Sequence, residues 1–148
     1  MNSAIEFLLD GEKLKVDVDI EAPPNVVYVF YFEKNGSRTP FYVGQTYRFS
    51  GRLNDYKIGS YGAPADFRVH HAIKYFVKNG YKITVETEAN IQEEGERINA
   101  ERQKITELLK RGPQLLNSFP SYNYKISEKD NEEKLVHEIC DVIIRKAS

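Results

Sequence analysis

Arg48, Arg52 and Tyr56 recur at four-residue intervals in "TYRFSGRLNDY", the spacing that lines side chains along one stripe of an α-helix. Two guanidinium forks beside a helix N-terminus can hold the oxygens of a phosphate, and a phenol in the same stripe can donate or receive a proton. The plainer reading is a solvated helix surface with an aromatic edge. Gly44, Gln45 and Thr46 break the alternation of the strand before this run, so Gly44 and Thr46 join the candidates for contact with an anion.

A second candidate is Glu101. Ile98, Ile105 and Leu108 mark the apolar face of a helix, and Glu101 falls on that face three residues after Ile98 and four before Ile105. A carboxylate there is partly desolvated, which is unfavourable unless a cation answers it. Pairing with an arginine would make it structural, and the helical pattern does not separate that from a functional role. Tyr28 and Tyr42 lie on neighbouring strands of one hairpin, where tyrosines share a face but commonly just pack. His70 and His71 adjoin on another helix with no second ligand at metal spacing. Cys140 is the only cysteine, which excludes an intrachain disulfide and a CxxC pair. Set among Leu135, Val136, Ile139 and Ile143, it reads as a buried structural thiol.

The elements that must position these residues are legible in the periodicity. Residues 4–20 alternate around Asp10-Gly11 as a β-hairpin, and a second hairpin runs from Val26 to Glu33 and from Pro40 to Val43 around Asn35-Gly36. Phe49, Leu53 and Tyr56 predict a short helix over 46–57, and Val69, Ile73, Phe76 and Val77 a second over 66–79. "YKITVETE" alternates as a further strand. The next helix has Asn90 as its expected N-cap, Glu93 as capping-box partner, Gly112 at its end and Pro113 just beyond. A last helix is expected over 131–146.

The 148 residues, 41% apolar and 29% charged, suit one soluble α+β domain. No uncharged apolar run is long enough to cross a membrane, and the N-terminus lacks the pattern of a secretory signal, so the expected location is the cytoplasm. The net charge of −1 conceals a basic middle: residues 34–82 hold nine Lys/Arg against two Asp, between acidic flanks. Such a distribution suits a surface facing a polyanion, although a charge run alone is more often a solvated face.

"VVY" (Val26–Tyr28), a hairpin, "YVG" (Tyr42–Gly44), Arg52, then a helical Glu101 followed by Ile105, and "PQLLN" closing at Asn117 together resemble the GIY-YIG nuclease family. Each motif is weak by itself; their ordered combination is specific. Val26 stands where the family's first motif opens with glycine, the hairpin is longer than the family's, and Tyr31 is a rival to Tyr28 for the first tyrosine.

The resemblance covers residues 26–117. It implies a small antiparallel three-stranded central sheet flanked by helices, with residues 1–25 as an added N-terminal hairpin and 118–148 as an added loop and C-terminal helix. It also implies cleavage of DNA phosphodiesters with one divalent ion, Mg²⁺ or Mn²⁺. Tyr28 and Tyr42 would be the motif tyrosines, Arg52 the phosphate-binding arginine, Glu101 the metal ligand and Asn117 the terminal polar residue. His70 and Tyr56 stand where members carry a histidine or tyrosine beside the substrate. In the mechanism so implied, Tyr28 is the general base, its phenol lowered by Arg52 and the metal, and Tyr42 orients the water or shares that role. Two other readings stay open: a nucleic-acid-binding module of the same fold without catalysis, and a structural or interaction domain. Neither added segment is a recognisable DNA-reading domain, so the expectation is weak sequence specificity, structure-selective cleavage, or a protein partner that supplies targeting.

Overall fold

The computed structural model describes residues 5–17, 22–119 and 129–147. Val18 and Ile20, assigned to the first hairpin by their alternation, and most of the loop before the last helix lie outside those residues.

The central ribbon is β3 (Val26–Lys34) and β4 (Ser37–Thr46), antiparallel about Asn35-Gly36. Both turn residues have positive φ, 54° and 78°, as a two-residue hairpin turn of right-handed twist requires. Tyr28 faces Gly44 and Phe30 faces Tyr42, but Tyr31 faces Pro40. Phe41 is therefore an extra residue in β4, a bulge that lets Phe41 and Tyr42 both pack against the same core.

On its other side β3 pairs with β5 (Lys82–Asn90), β5 pairs with β1 (Ile5–Asp10), and β1 pairs with β2 (Lys13–Lys15). The result is one antiparallel sheet of five strands in the order β2-β1-β5-β3-β4. The expected antiparallel three-stranded centre corresponds to β5-β3-β4, and the sheet is larger than that centre by two strands. The first hairpin continues the same sheet, because β5 would otherwise present an unpaired edge, and β1 covers that edge while placing Phe7 in the core.

Four helices cover the sheet: α1 (Phe49–Ile58), α2 (Pro64–Lys78), α3 (Glu94–Lys110) and α4 (Lys129–Ala147). The alternation of β3 sorts its side chains between two cores. Tyr28, Phe30 and Phe32 join Phe49, Leu53, Ile73, Phe76, Ile139 and Ile143 of α1, α2 and α4. Val27 and Val29 join Val43, Leu108 and Leu115 beneath α3 on the opposite face. Cys140 is buried in the larger core, where loss of water pushes its thiol up and holds it protonated.

The start of α3 also differs from expectation. Asn90 ends β5, and the cap is Glu93, whose carboxylate accepts the N–H groups of Gly95 and Glu96 at 3.0 and 2.5 Å. The strand extends because Val26 and Val27 pair with Asn90 and Ala89, which draws Asn90 into the ladder. Among the described residues, no helix is long and apolar enough to cross a membrane.

Candidate active site

Tyr28 lies across β4 at Gly44. A Cβ on Gly44 would overlap the Tyr28 ring and hydroxyl, so this glycine is the space the phenol occupies. The Tyr28 hydroxyl hydrogen-bonds to that of Tyr56. Tyr42 packs edge-on against Tyr56 with ring centroids 6.1 Å apart, which completes a cluster of three phenols from β3, β4 and α1. Tyr31 is on the other face of the sheet: the Arg38 guanidinium lies 3.6 Å from its ring centroid, and its hydroxyl donates to Glu88. Of the two rivals, Tyr28 is the one that shares a face with Tyr42.

Phe49, Leu53 and Tyr56 bury α1 against this cluster, and Arg52 is carried beside them. Its guanidinium carbon is 4.4 Å from the Tyr56 ring centroid, and its Nη1 donates to Asp66 Oδ1 at 2.5 Å and to Asp55 Oδ2 at 3.2 Å. Arg48 is the residue before α1 rather than a member of it, and its Nη2 reaches the same Asp55 oxygen at 2.5 Å. Tyr56 is wholly buried, so the expected stripe runs from solvent at Arg48 into the core at Tyr56. Thr46 is buried too, and its hydroxyl accepts the Arg48 N–H at 3.1 Å, which fixes the turn into α1.

Among the described residues the far edge of β4 has no strand beyond it, so its outward backbone groups need other partners. Asn117 supplies two of these bonds: its Oδ1 accepts the Val43 N–H at 2.9 Å and its Nδ2 donates to the Val43 carbonyl at 2.8 Å. Two residues on, the Gln45 N–H faces the Glu101 carboxylate. Gln45 is also held through its side chain, which accepts from Arg97 Nε at 2.8 Å. Arg97 is buried, and its Nη1 donates to the Ile91 and Gln92 carbonyls at 3.2 and 3.1 Å. The strand edge is thus closed by a terminal amide, a carboxylate and a buried arginine, which together dock α3 beside Tyr42.

Loss of water pushes all three phenols up. Arg52 pulls each back and is outweighed, so Tyr28 is a neutral phenol in the free protein rather than one lowered by its arginine. Burial also raises Glu101, against smaller opposing effects of Arg102 and the Gln45 N–H. Arg102 is its helix neighbour and does not face it. Among the described residues Glu101 makes no ion pair, so the arginine partner that would make it purely structural is missing there.

A half-buried carboxylate without a cation partner fits a hard divalent ion. Among the described residues, no group of three or more His, Cys, Asp or Glu forms a cage, but Mg²⁺ retains most of its waters and needs only one or two protein carboxylates.

His70 stands apart from the cluster. Its Nδ1–H donates to the Tyr56 carbonyl at 2.9 Å, and its ring fills the space left by Gly59 at the end of α1. It lines a cavity with Lys13, Lys15 and Lys57, none of which belongs to the phenol cluster. Sequence reasoning missed Asp55, Asp66, Gln45 and Arg97. The three-residue spacing of Arg52 and Asp55 was a legible signal; the other partnerships join separate elements.

No family model, curated protein or solved structure matches the chain.

Proposed function

We propose that this chain is a Mg²⁺-dependent DNA endonuclease of GIY-YIG type, with residues 26–117 as its catalytic core and one metal ion. The supporting observation is convergence. Tyr28, Tyr42, Tyr56, Arg52 and Glu101 come from β3, β4, α1 and α3, yet Tyr42 feels the fields of both Arg52 and Glu101 and packs on Tyr56. These side chains have the chemistry that phosphodiester hydrolysis needs: a proton acceptor, a cation for the phosphate and a carboxylate for a metal.

Tyr42 is the partly exposed phenol of the three; having first lost its own proton to solvent, with Arg52 and a bound metal favouring the phenolate, it would take the proton of the attacking water. This moves the general-base role from Tyr28, which is buried with its hydroxyl bonded to Tyr56. Tyr28 and Tyr56 instead hold the ring of Tyr42 and the guanidinium of Arg52 in register. Arg52 neutralises charge on the phosphate. Mg²⁺ or Mn²⁺ held by Glu101 would stabilise the phosphate oxygen and the leaving 3′-oxygen and lower the pKa of the groups beside it. Asn117 and Gly44 act through β4, the first by tying its edge and the second by admitting Tyr28. The first hairpin is spent in extending the sheet, so selectivity comes from DNA structure or from a protein partner that supplies targeting.

A nicking assay on supercoiled plasmid tests the reading. Nicking is expected with Mg²⁺ or Mn²⁺, is lost with EDTA, and is lost in a folded Glu101→Ala variant; undiminished nicking by that variant sinks it. The second reading, a DNA-binding module without catalysis, is favoured by one observation, that burial outweighs Arg52 at all three phenols. Salt-dependent DNA binding without nicking at any pH would establish it.

A further inference from the structure

Asp55 Oδ2 is shared by two guanidinium groups, at 2.5 Å from Arg48 Nη2 and 3.2 Å from Arg52 Nη1. Two arginine forks converging on one anionic oxygen is the arrangement in which a phosphate oxygen is held. We propose that the gap between Arg48 and Arg52 is the seat of the substrate phosphate, that Asp55 fills it in the free protein as an internal anion, and that DNA displaces Asp55 on binding. The proposal rests on the nuclease reading and adds to it a competitor built into the site.

The two carboxylates on Arg52 differ in a way that assigns them different tasks. The Asp55 side chain is 25% exposed and its partner Arg48 is 48% exposed, so this contact meets solvent and is a weak one to break. Asp66 is 13% exposed, sits in the first turn of α2 and bonds Arg52 at 2.5 Å. Breaking a more buried pair leaves a charge without a partner and is costly. Asp66 is therefore the positioning residue that keeps Arg52 against Tyr56, and Asp55 is the contact that gives way.

The path of Arg48 supports this. A Cβ on Gly51 would overlap the Arg48 guanidinium, so the glycine allows Arg48 to fold back along the first turn of α1 and reach Asp55. Arg48 holds no second carboxylate among the described residues. Once Asp55 lets go, its guanidinium is free to take a phosphate oxygen.

The test is equilibrium binding of a short DNA duplex in EDTA across a salt series, with wild type, Asp55→Asn and the double variant Arg48→Ala/Asp55→Asn. Asp55→Asn keeps the shape and removes the charge. It should bind about three- to fivefold more tightly, the span of an exposed ion pair, with the salt slope unchanged because the same phosphate is neutralised in both complexes. The gain should vanish in the double variant. In nicking assays Asp55→Asn should lower KM, whereas Asp66→Asn should lower kcat with KM within twofold. Affinity unchanged or reduced in Asp55→Asn, or a gain that survives loss of Arg48, overturns the proposal. If wild type binds and nicks DNA in that case, the nuclease reading stands alone; if neither wild type nor Asp55→Asn binds DNA, both fall.

Discussion

Replacing Asn117 with alanine removes both bonds that close the edge of β4 at Val43, one of 2.9 Å and one of 2.8 Å. Each is worth about 1 kcal/mol net, and the Val43 N–H and carbonyl left on a partly covered edge add to that where water cannot replace the amide. The expected loss is about 2–4 kcal/mol. For a domain of this size that is a fall in Tm of roughly 5–12 °C, with the urea m-value unchanged because the surface exposed on unfolding is the same. Asn117→Asp should fare no better than alanine, since it keeps the acceptor for the Val43 N–H but turns a lone pair toward the Val43 carbonyl. Val43 lies between Tyr42 and Gly44, so nicking should fall together with stability, measured well below the unfolding midpoint. The informative pair is urea unfolding followed by circular dichroism and plasmid nicking on the same preparations. Stability within about 0.5 kcal/mol of wild type combined with a large loss of nicking would refute the reasoning, because Asn117 would then act on the substrate rather than on the strand.

Gly44→Ala would drive a methyl into the Tyr28 ring and should cost about 1–3 kcal/mol; a urea midpoint indistinguishable from wild type would show that the phenol has room to move. Burial raises Glu101, so the folded protein holds that proton more tightly than the unfolded chain and the stability from it is lost as pH rises through the folded pKa. Glu101→Gln should therefore be more stable than wild type by about 0.5–1 kcal/mol at pH 7, lose that advantage below the ordinary glutamate pKa, and fail to nick DNA; equal stability at every pH contradicts this. Tyr28, Tyr42 and Tyr56 are also raised by burial, so the stability tied to them is in place below about pH 10 and falls above it, by up to about 1.4 kcal/mol per pH unit for each. In an alkaline absorbance titration these three of the ten tyrosines should ionise only as the chain unfolds, and a smooth titration of all ten with the fold intact would contradict it.

Local pattern was enough for much of the fold. Phe49, Leu53 and Tyr56 marked the buried face of α1, and Asn35-Gly36 marked the turn, because helix and hairpin signals are set by neighbours a few residues apart. The partnership of β1 with β5 was not legible, since Phe7 and Ile83 carry no local mark of pairing with each other. The cap of α3 was misplaced for a related reason: Asn90 suits an N-cap, but a strand neighbour far away in sequence claimed it. The ordered motif pointed to Tyr42, Arg52 and Glu101, and the fold brings Tyr42 near the other two. Arg97 and Asp66 escaped because their meaning lies in contacts with Gln45 and Arg52 across different elements. The contact of His70 with the Tyr56 carbonyl at the end of α1 likewise left no mark in the sequence.

A one-residue slip in a strand throws every side chain beyond it onto the opposite face. The extra residue at Phe41 absorbs such a slip between the root of the ribbon, which carries Tyr28, Tyr42 and Gly44, and its tip, from Tyr31 to Pro40. The tip is thereby insulated from the chemistry at the root. Residue pairs can be gained or lost around Asn35-Gly36, changing how far the ribbon reaches, while Tyr42 keeps its orientation toward Arg52. The long hairpin is in this sense an independent module, open to variation during evolution or to grafting by design.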